Sequence, residues 1–387
     1  MKLVFYSLIL NHHQACIADE FYKVLSDDYA FVETAECHDS KGATDDYSQR
    51  PYLIRAWAST DEYNKAMQMA LEAEVCVFGG YEALPFEKAR MGRGLLSFDM
   101  GERWLKRGCM NLLSPRILKM LLLYYCGGWN KQALYKLCMS AFASEDHRRL
   151  RMYIGKCYKW GYFTQVDEKN DVEASLDVST PGSTTLMWCS RFLVLKHPEL
   201  PVQMAAKLKK KGNKFYIKMY GDEGNAAKYD TIYPRAELQK LIDQLGVQDC
   251  VELMGSRPNS EILKAMQESE IFLFTSDKME GWGTVANESM ANGCVLVASD
   301  AIGSSPYLIE DGVNGFLFRS QDVDSLTQKV EWLLKHPEER KKMKKQAYAT
   351  MRDVWSPRKA AEALLKLIDD LKNGRETSIV TGPCSKA

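Results

Sequence analysis

Short apolar runs alternate with amphipathic stretches of helical period along most of the chain. In the first half, Lys2–Ile9 and Ala30–Thr34 predict strands, with a helix at His13–Leu25 between them. The polar stretch His38–Arg50 predicts a loop, and Thr60–Glu72 a helix. Val75–Gly79 is an apolar run of the kind that fills a parallel strand covered on both faces. Leu95–Phe98 and Met139–Ala143 predict two more strands.

The second half is more regular. Strands are predicted at Leu186–Cys189, Phe215–Tyr220, Val251–Met254, Ile271–Thr275, Val295–Ser299 and Gly315–Phe318. Helices are predicted between them at Pro198–Lys211, Arg235–Leu245, Ser260–Gln267 and Thr284–Asn292. Strands alternating with helices imply parallel sheets wrapped on both faces, so the fold class is α/β, doubly wound twice over. Three helices follow, at Val323–Lys335, Glu338–Met351 and Pro357–Leu371.

Asp167–Ser183 is rich in Asp, Glu, Ser, Thr and Pro, which is a linker composition. Two domains are therefore expected, at residues 1–178 and 179–354, with residues 355–373 packing back on the first and residues 374–387 forming a flexible tail. Two such domains on one linker place a cleft between them, at the carboxyl edges of the strands.

A length of 387 residues agrees with two cores rather than one. Lys+Arg and Asp+Glu each number 51, so the net charge is zero. Nucleic acid is then not an expected partner, because backbone binding needs a basic excess. The 11 cysteines include no C-x-x-C pair, which argues against a zinc ribbon or a redox dithiol and for a reducing, cytoplasmic setting. No run reaches the roughly 20 apolar residues a membrane span needs.

The segment richest in chemistry is Glu280-Gly281-Trp282-Gly283-Thr284-Val285-Ala286-Asn287-Glu288. It follows a predicted strand and opens a predicted helix. Gly281 and Gly283 let a ligand approach backbone N–H groups, and a helix start favours anions. Two carboxylates beside such a place suit a ligand that carries hydroxyl groups as well as phosphate, because a carboxylate accepts from a vicinal diol.

This segment resembles the E-x7-E signature of retaining GT-B glycosyltransferases, in particular family 4, the glycosyl transferases group 1. The resemblance extends to Arg191 and Lys196, to Gly221-Asp222, to Gly255, to Ala298 through Gly303, and to Asp311 through Leu317. It spans Leu186 to Phe318. Ser190 stands where the family usually has Gly, and Tyr307 where it usually has an acidic residue.

The resemblance implies a GT-B fold of two Rossmann-like domains facing a central cleft. It implies a sugar moved with retention from a nucleoside-diphosphate sugar to a saccharide or lipid-linked acceptor, in surface polysaccharide or glycoconjugate synthesis. Glu288 would hold the donor ribose. Glu280 would hold the transferred sugar, aided by Gly281, Trp282, Gly283 and Thr284, with Gly221 close by. Arg191 and Lys196 would sit on the diphosphate in place of a metal, so neither metal nor cofactor is expected.

In the first half, His13, and with less weight His12, follows the first strand and could touch acceptor or phosphate; Asn11 could equally be a simple helix cap. Asp99 could deprotonate the attacking hydroxyl, as could Glu102. Residues 101–136 hold seven Lys/Arg and one acid among exposed-looking apolar positions, which suits peripheral contact with the inner face of an anionic membrane. A buried helix with a basic edge reads the same way. Asp322-Val323-Asp324 precedes a helix and is expected to cap it. An oxidoreductase would need a G-x-G-x-x-G after an early strand, which is not present. A sugar-nucleotide epimerase or a phosphorylase on a similar scaffold is the alternative.

Overall fold

In a computed structural model, the described residues are 1–36, 47–166, 184–223 and 231–387. The linker stretch Asp167–Ser183, and most of the predicted loop His38–Arg50, lie outside them. The chain divides into two compact units. One is Met1–Thr164 with Val354–Ala387, and the other is Gln165–Asp353.

The first unit is built on a seven-stranded sheet. Its strands are β1 (Leu3–Ser7), β2 (Tyr29–Glu33), β3 (Leu53–Arg55), β4 (Val75–Gly79), β5 (Ser97–Gly101), β6 (Leu134–Cys138) and β7 (Cys157–Lys159), in the order β3-β2-β1-β4-β5-β6-β7. The second unit has a six-stranded sheet of β8 (Thr184–Cys189), β9 (Phe215–Tyr220), β10 (Val251–Gly255), β11 (Ile271–Phe274), β12 (Val295–Ser299) and β13 (Gly315–Phe318), in the order β10-β9-β8-β11-β12-β13. Neighbouring strands pair in parallel in both sheets. Each sheet therefore reverses direction of growth once, between β1 and β4 in the first unit and between β8 and β11 in the second. In doubly wound sheets that reversal point, at the carboxyl ends, is where ligands bind.

The strands form where both faces are covered. Every residue of β12 is buried, and Trp188, Ile217, Leu273 and Val297 share one core with helix residues Leu208, Ile242 and Leu333. Two buried arginines show how charge is accommodated. Arg90 is fully buried and donates to the carbonyls of Ala70, Ala73, Glu74 and Leu96 and to Ser97 Oγ, at 2.7–3.1 Å. Arg340 meets Glu270 at 2.6 Å and ties the helix Pro337–Asp353 to the turn before β11.

Three expectations are corrected. The strand predicted at Met139–Ala143 is instead β6, Leu134–Cys138, and Ala143–Arg149 is a helix. Lys136 interrupts the apolar run of β6 but is buried, because its register partner across the sheet is Asp99 and the two pair at 3.0 Å. Asp99 itself lies inside β5, not beyond the strand. Residues 374–387 are not a free tail. Cys384 and Ser385 are buried, Cys384 N donates to Lys159 O at 2.8 Å, Lys159 N donates to Ser385 O at 2.8 Å, and Lys386 bridges Tyr158 antiparallel. The last residues thus cover the otherwise open edge of β7, which would expose unpaired backbone groups. The helix Pro357–Lys372 packs on His12–Leu25 within the first unit.

Candidate functional site

The candidate residues of the second unit sit at the reversal point of its sheet. Beyond β8 the chain runs through Arg191 into a single turn at Val194–Lys196. Beyond β11 it runs through Ser276 and Asp277 to Glu280. Backbone and side chains stitch the two loops together. Asp277 N donates to Leu195 O at 2.9 Å, and Thr275 Oγ1 donates to Lys196 O at 2.7 Å while accepting from Trp188 Nε1 at 2.9 Å. The result brings Lys196 onto Glu280 as an ion pair, and Ser276 Oγ donates to the same carboxylate at 3.2 Å. Both members are 13% exposed, shielded enough to hold geometry yet reachable by a ligand.

His197 completes this corner and was not legible beforehand. Its Nδ1 lies 2.8 Å from Glu199 and its Nε2 3.6 Å from Asp277. Burial works against its charge, but the Asp277 carboxylate nearby and the hydrogen bond to Glu199 outweigh burial and raise the imidazole from 6.5 to about 9. The imidazolium locks the Lys196 turn to the Glu280 loop. Because the folded value is above the ordinary one, its contribution to stability is full below pH 6.5 and is lost as pH rises through about 9. We predict that the wild-type protein loses up to about 3 kcal/mol more than His197→Asn across that window. Asparagine tolerates the left-handed backbone there, with φ of 49°. Chemical denaturation at pH 6 and pH 9.5 measures the difference; parallel losses in both proteins would remove the proposed clamp.

The glycine-flanked turn is shaped by its core. Trp282 is buried and donates from Nε1 to Asn287 at 2.8 Å, while its carbonyl accepts from Ser304 Oγ at 2.5 Å. Gly283 has φ of +76°, and a Cβ there would lie 2.2 Å from Phe274 Cζ, so the turn can lie flat on the end of β11 only with glycine. Gly281 is buried beside Trp282, and Thr284 directly precedes the helix Val285–Ala291. Glu288 lies within that helix, and burial raises its carboxyl to about 7. Gly221, at the end of β9, presses on the Ser190 carbonyl beside Arg191. The structure therefore brings Lys196 and Glu280 into contact and arrays Arg191, Gly221, Gly281, Trp282, Gly283, Thr284 and Glu288 on neighbouring strand ends of one sheet. Such a set offers fixed cations, turn N–H groups and carboxylates, which together suit an anion joined to a polyol.

His13 and Asp99 belong to the first unit. Asn11 Oδ1 accepts from His13 N and Gln14 N, both at 3.1 Å, so Asn11 caps the helix and positions His13 at the end of β1. Burial, helped by His12, lowers the His13 imidazole to about 3. Asp99 Oδ2 accepts from Tyr153 at 2.8 Å and from Lys136 at 3.0 Å. Arg103 is no loose surface charge, since it pairs with buried Asp146 at 3.1 Å. Asp322 caps its helix, accepting from Asp324 N and Ser325 N at 2.9 Å. The basic stretch forms a helix at Pro115–Tyr125, and Met110, Leu113, Leu118 and Leu122 stand exposed along it, Leu113 by 81%. No helix among the described residues is long and apolar enough to cross a membrane.

Comparison with known proteins bears on the family and the fold. Residues 179–350 match the glycosyl transferases group 1 family. The amylovoran biosynthesis glycosyltransferase AmsK of Erwinia amylovora is 36% identical over 96 residues, covering 24% of this chain and 23% of that protein. The D-inositol 3-phosphate glycosyltransferase of Mycolicibacterium smegmatis is 28% identical over 162 residues, covering 38% and 35%. The aligned stretches thus span well under half the length of these curated relatives. The crystal structure of Anabaena Alr3699/HepE in complex with UDP has a TM-score of 0.70 at 16% identity, covering 96% of this chain and all of that one. Each unit has one Rossmann-like parallel sheet, the pairing of domains seen in GT-B glycosyltransferase structures, and residues 179–350 are similar to the glycosyl transferases group 1 family.

Proposed function

We propose that this chain is a retaining, metal-independent glycosyltransferase that moves a sugar from a nucleoside-diphosphate sugar to a saccharide or lipid-linked acceptor in surface polysaccharide or glycoconjugate synthesis. The observation that carries the proposal is the Lys196–Glu280 pair at the reversal point of the C-terminal sheet. Lys196 and Arg191 would take the diphosphate. Breaking the glycosidic bond leaves charge on that group, and fixed cations stabilise it as it develops. Glu280 would accept from hydroxyls of the transferred sugar, with the turn at Gly281–Thr284 lending N–H groups. Glu288 would accept from the ribose diol, and those donors would favour its ionised form. HepE was crystallised with UDP, which supports a uridine diphosphate sugar as the first donor to try.

A thermal-shift screen of nucleoside diphosphates and their sugars tests the donor half. A binder stabilises the folded form alone, by about 2.7 kcal/mol at a hundredfold excess over its Kd. One nucleotide series is expected to raise Tm, and the shift and subsequent transfer are expected to persist with a chelator present. Strict dependence on a divalent ion would count against two cations acting in place of a metal.

The exposed row of Met110, Leu113, Leu118 and Leu122 beside Arg107, Arg116 and Lys119 supports peripheral docking on an anionic bilayer, where a lipid-linked acceptor would be met. Flotation with anionic vesicles at low salt checks this, and protein left entirely at the bottom of the gradient rules docking out.

A further inference from the structure

Cys138 ends β6 and Cys157 begins β7, on strands that pair in parallel. Lys136 is the register partner of Cys157, and Lys159 that of Cys138. Side chains two residues apart on a strand share a face, and so do register partners, which puts Lys136, Cys138 and Cys157 on one face of the sheet. The two thiols are diagonal neighbours there, within hydrogen-bonding reach of each other.

The two cysteines differ in access. Cys138 is fully buried. Cys157 is partly exposed and lines a cavity of about 280 Å³ with Glu145, Arg148, Tyr153 and Lys386. They differ in mobility as well. β7 is three residues long and last in the sheet order, whereas β6 lies between β5 and β7. Any closing movement between the sulfurs therefore falls on Cys157.

Charge around the pair favours the same division. Lys136 is buried and paired with Asp99 at 3.0 Å. Lys386 donates to Gly155 O at 2.7 Å and to Tyr158 Oη at 3.1 Å, which fixes an ammonium beside the start of β7. Glu145, the acid of the cavity, is engaged by Arg149 at 2.6 Å and Arg148 at 4.0 Å. The hydrogen bond from Cys138 lowers the Cys157 thiol below its ordinary value, with Lys136 and Lys386 adding to it against burial and Asp99. The same bond, together with burial, pushes the Cys138 thiol well up. An accessible sulfur that favours the thiolate beside a buried one that keeps its proton is the arrangement of an attacking and a resolving thiol.

We propose that Cys157 and Cys138 form a peroxide-sensitive dithiol that closes to a reversible disulfide between β6 and β7. The Cys157 thiolate attacks one oxygen of hydrogen peroxide. The S–O bond forms as the O–O bond breaks, and the departing hydroxide takes up a proton and leaves as water. The Cys138 sulfur then attacks the Cys157 sulfur. The S–S bond forms, the S–O bond breaks, and the hydroxide leaves as a second water with the Cys138 proton. Two thiols lose two electrons, and one peroxide gains them. A dithiol reductant reopens the bond by exchange.

The test uses the full chain, freed of reductant and given a small molar excess of hydrogen peroxide. Remaining thiols are alkylated, and the protein is digested without reduction for mass spectrometry. One pair of peptides joined through Cys138 and Cys157 is expected, lighter by two hydrogen atoms than the separate peptides and lost after dithiothreitol. Cys109 and Cys126 are exposed and act as internal controls; both are expected to be recovered alkylated. In Cys138→Ser the sulfenic acid has no resolving thiol, so a dimedone adduct is expected at Cys157 that the wild type lacks. No joined peptide in the wild type, or oxidation of Cys109 and Cys126 at doses that leave the pair reduced, overturns the proposal. So does a folded Cys138→Ser protein without the adduct. Should Cys138→Ser fail to fold, the wild-type peptide map decides alone. None of these readouts depends on donor binding or transfer.

Discussion

Lys196→Ala is expected to lower the transfer rate by about 10²–10³-fold with the best nucleotide-sugar donor. The argument is electrostatic and local. Lys196 is held by a turn whose carbonyl is bonded to Thr275, so its ammonium is fixed before any ligand arrives. A fixed cation costs no reorganisation when charge develops on the departing diphosphate. The substitution also strips Glu280 of its ion pair and leaves Ser276 as its described partner. Stability should fall by about 1–3 kcal/mol as a half-shielded carboxylate loses its charge partner. Glu280→Gln separates the two effects. It breaks the same ion pair but leaves the cation free for phosphate, so UDP should bind at least as tightly as in wild type while transfer still collapses. Lys196→Ala should weaken UDP and transfer together. Full activity in Lys196→Ala, or UDP affinity falling in Glu280→Gln as it does in Lys196→Ala, would mean that the pair is a structural clasp and not the donor grip.

Why some of this could be read from the residues and some could not is a matter of where the partners lie. β12 carries a continuous apolar run because both of its faces are covered, β9 an alternating one because one face is only partly covered, and either pattern announces a strand. β6 hides itself. Lys136 breaks its run, and only the register with β5 shows that Asp99 neutralises it. The burial of Cys384 and Ser385 is equally silent in sequence, since a polar tail docks there on an edge strand that has its own unpaired backbone. At the site, Lys196 and Glu280 are separated by 84 positions, yet each stands a few residues after a strand that flanks the sheet's reversal point. Topology therefore carries both to one place, and strand counting suffices to pair them. His197 depends on two acids, one of them on the next loop, and strand counting does not reach that detail. Glu87 is quieter still: within Leu84–Met91 it looks like a solvent-facing helix residue, and only the packed structure shows a carboxyl turned into a cavity.

The largest loss of stability from a single methyl group is expected at Gly221. Its φ is +123°, a conformation that side chains rarely adopt, and a Cβ there would sit 1.9 Å from the Ser190 carbonyl oxygen. Backbone strain of this kind costs about 1–3 kcal/mol, and the clash adds to it because the obstacle is main chain and has no rotamer to change. Gly221→Ala should therefore cost about 4 kcal/mol or more in denaturant melts. Gly212→Ala is the control. Its φ is +79° but its Cβ would meet nothing within 4 Å, so it should cost only about 1–2 kcal/mol. The clash also has a functional direction. Ser190 N donates to Tyr220 O at 3.1 Å and Phe192 N donates to Asp222 O at 2.8 Å, so the two chains are zipped on either side of Gly221. The Ser190 carbonyl can retreat only by shifting the backbone that carries Arg191. Whatever Gly221→Ala protein remains folded should bind UDP more weakly than Gly212→Ala protein. If the two variants melt together, or if UDP cannot tell them apart, then this close approach does not hold Arg191 in place.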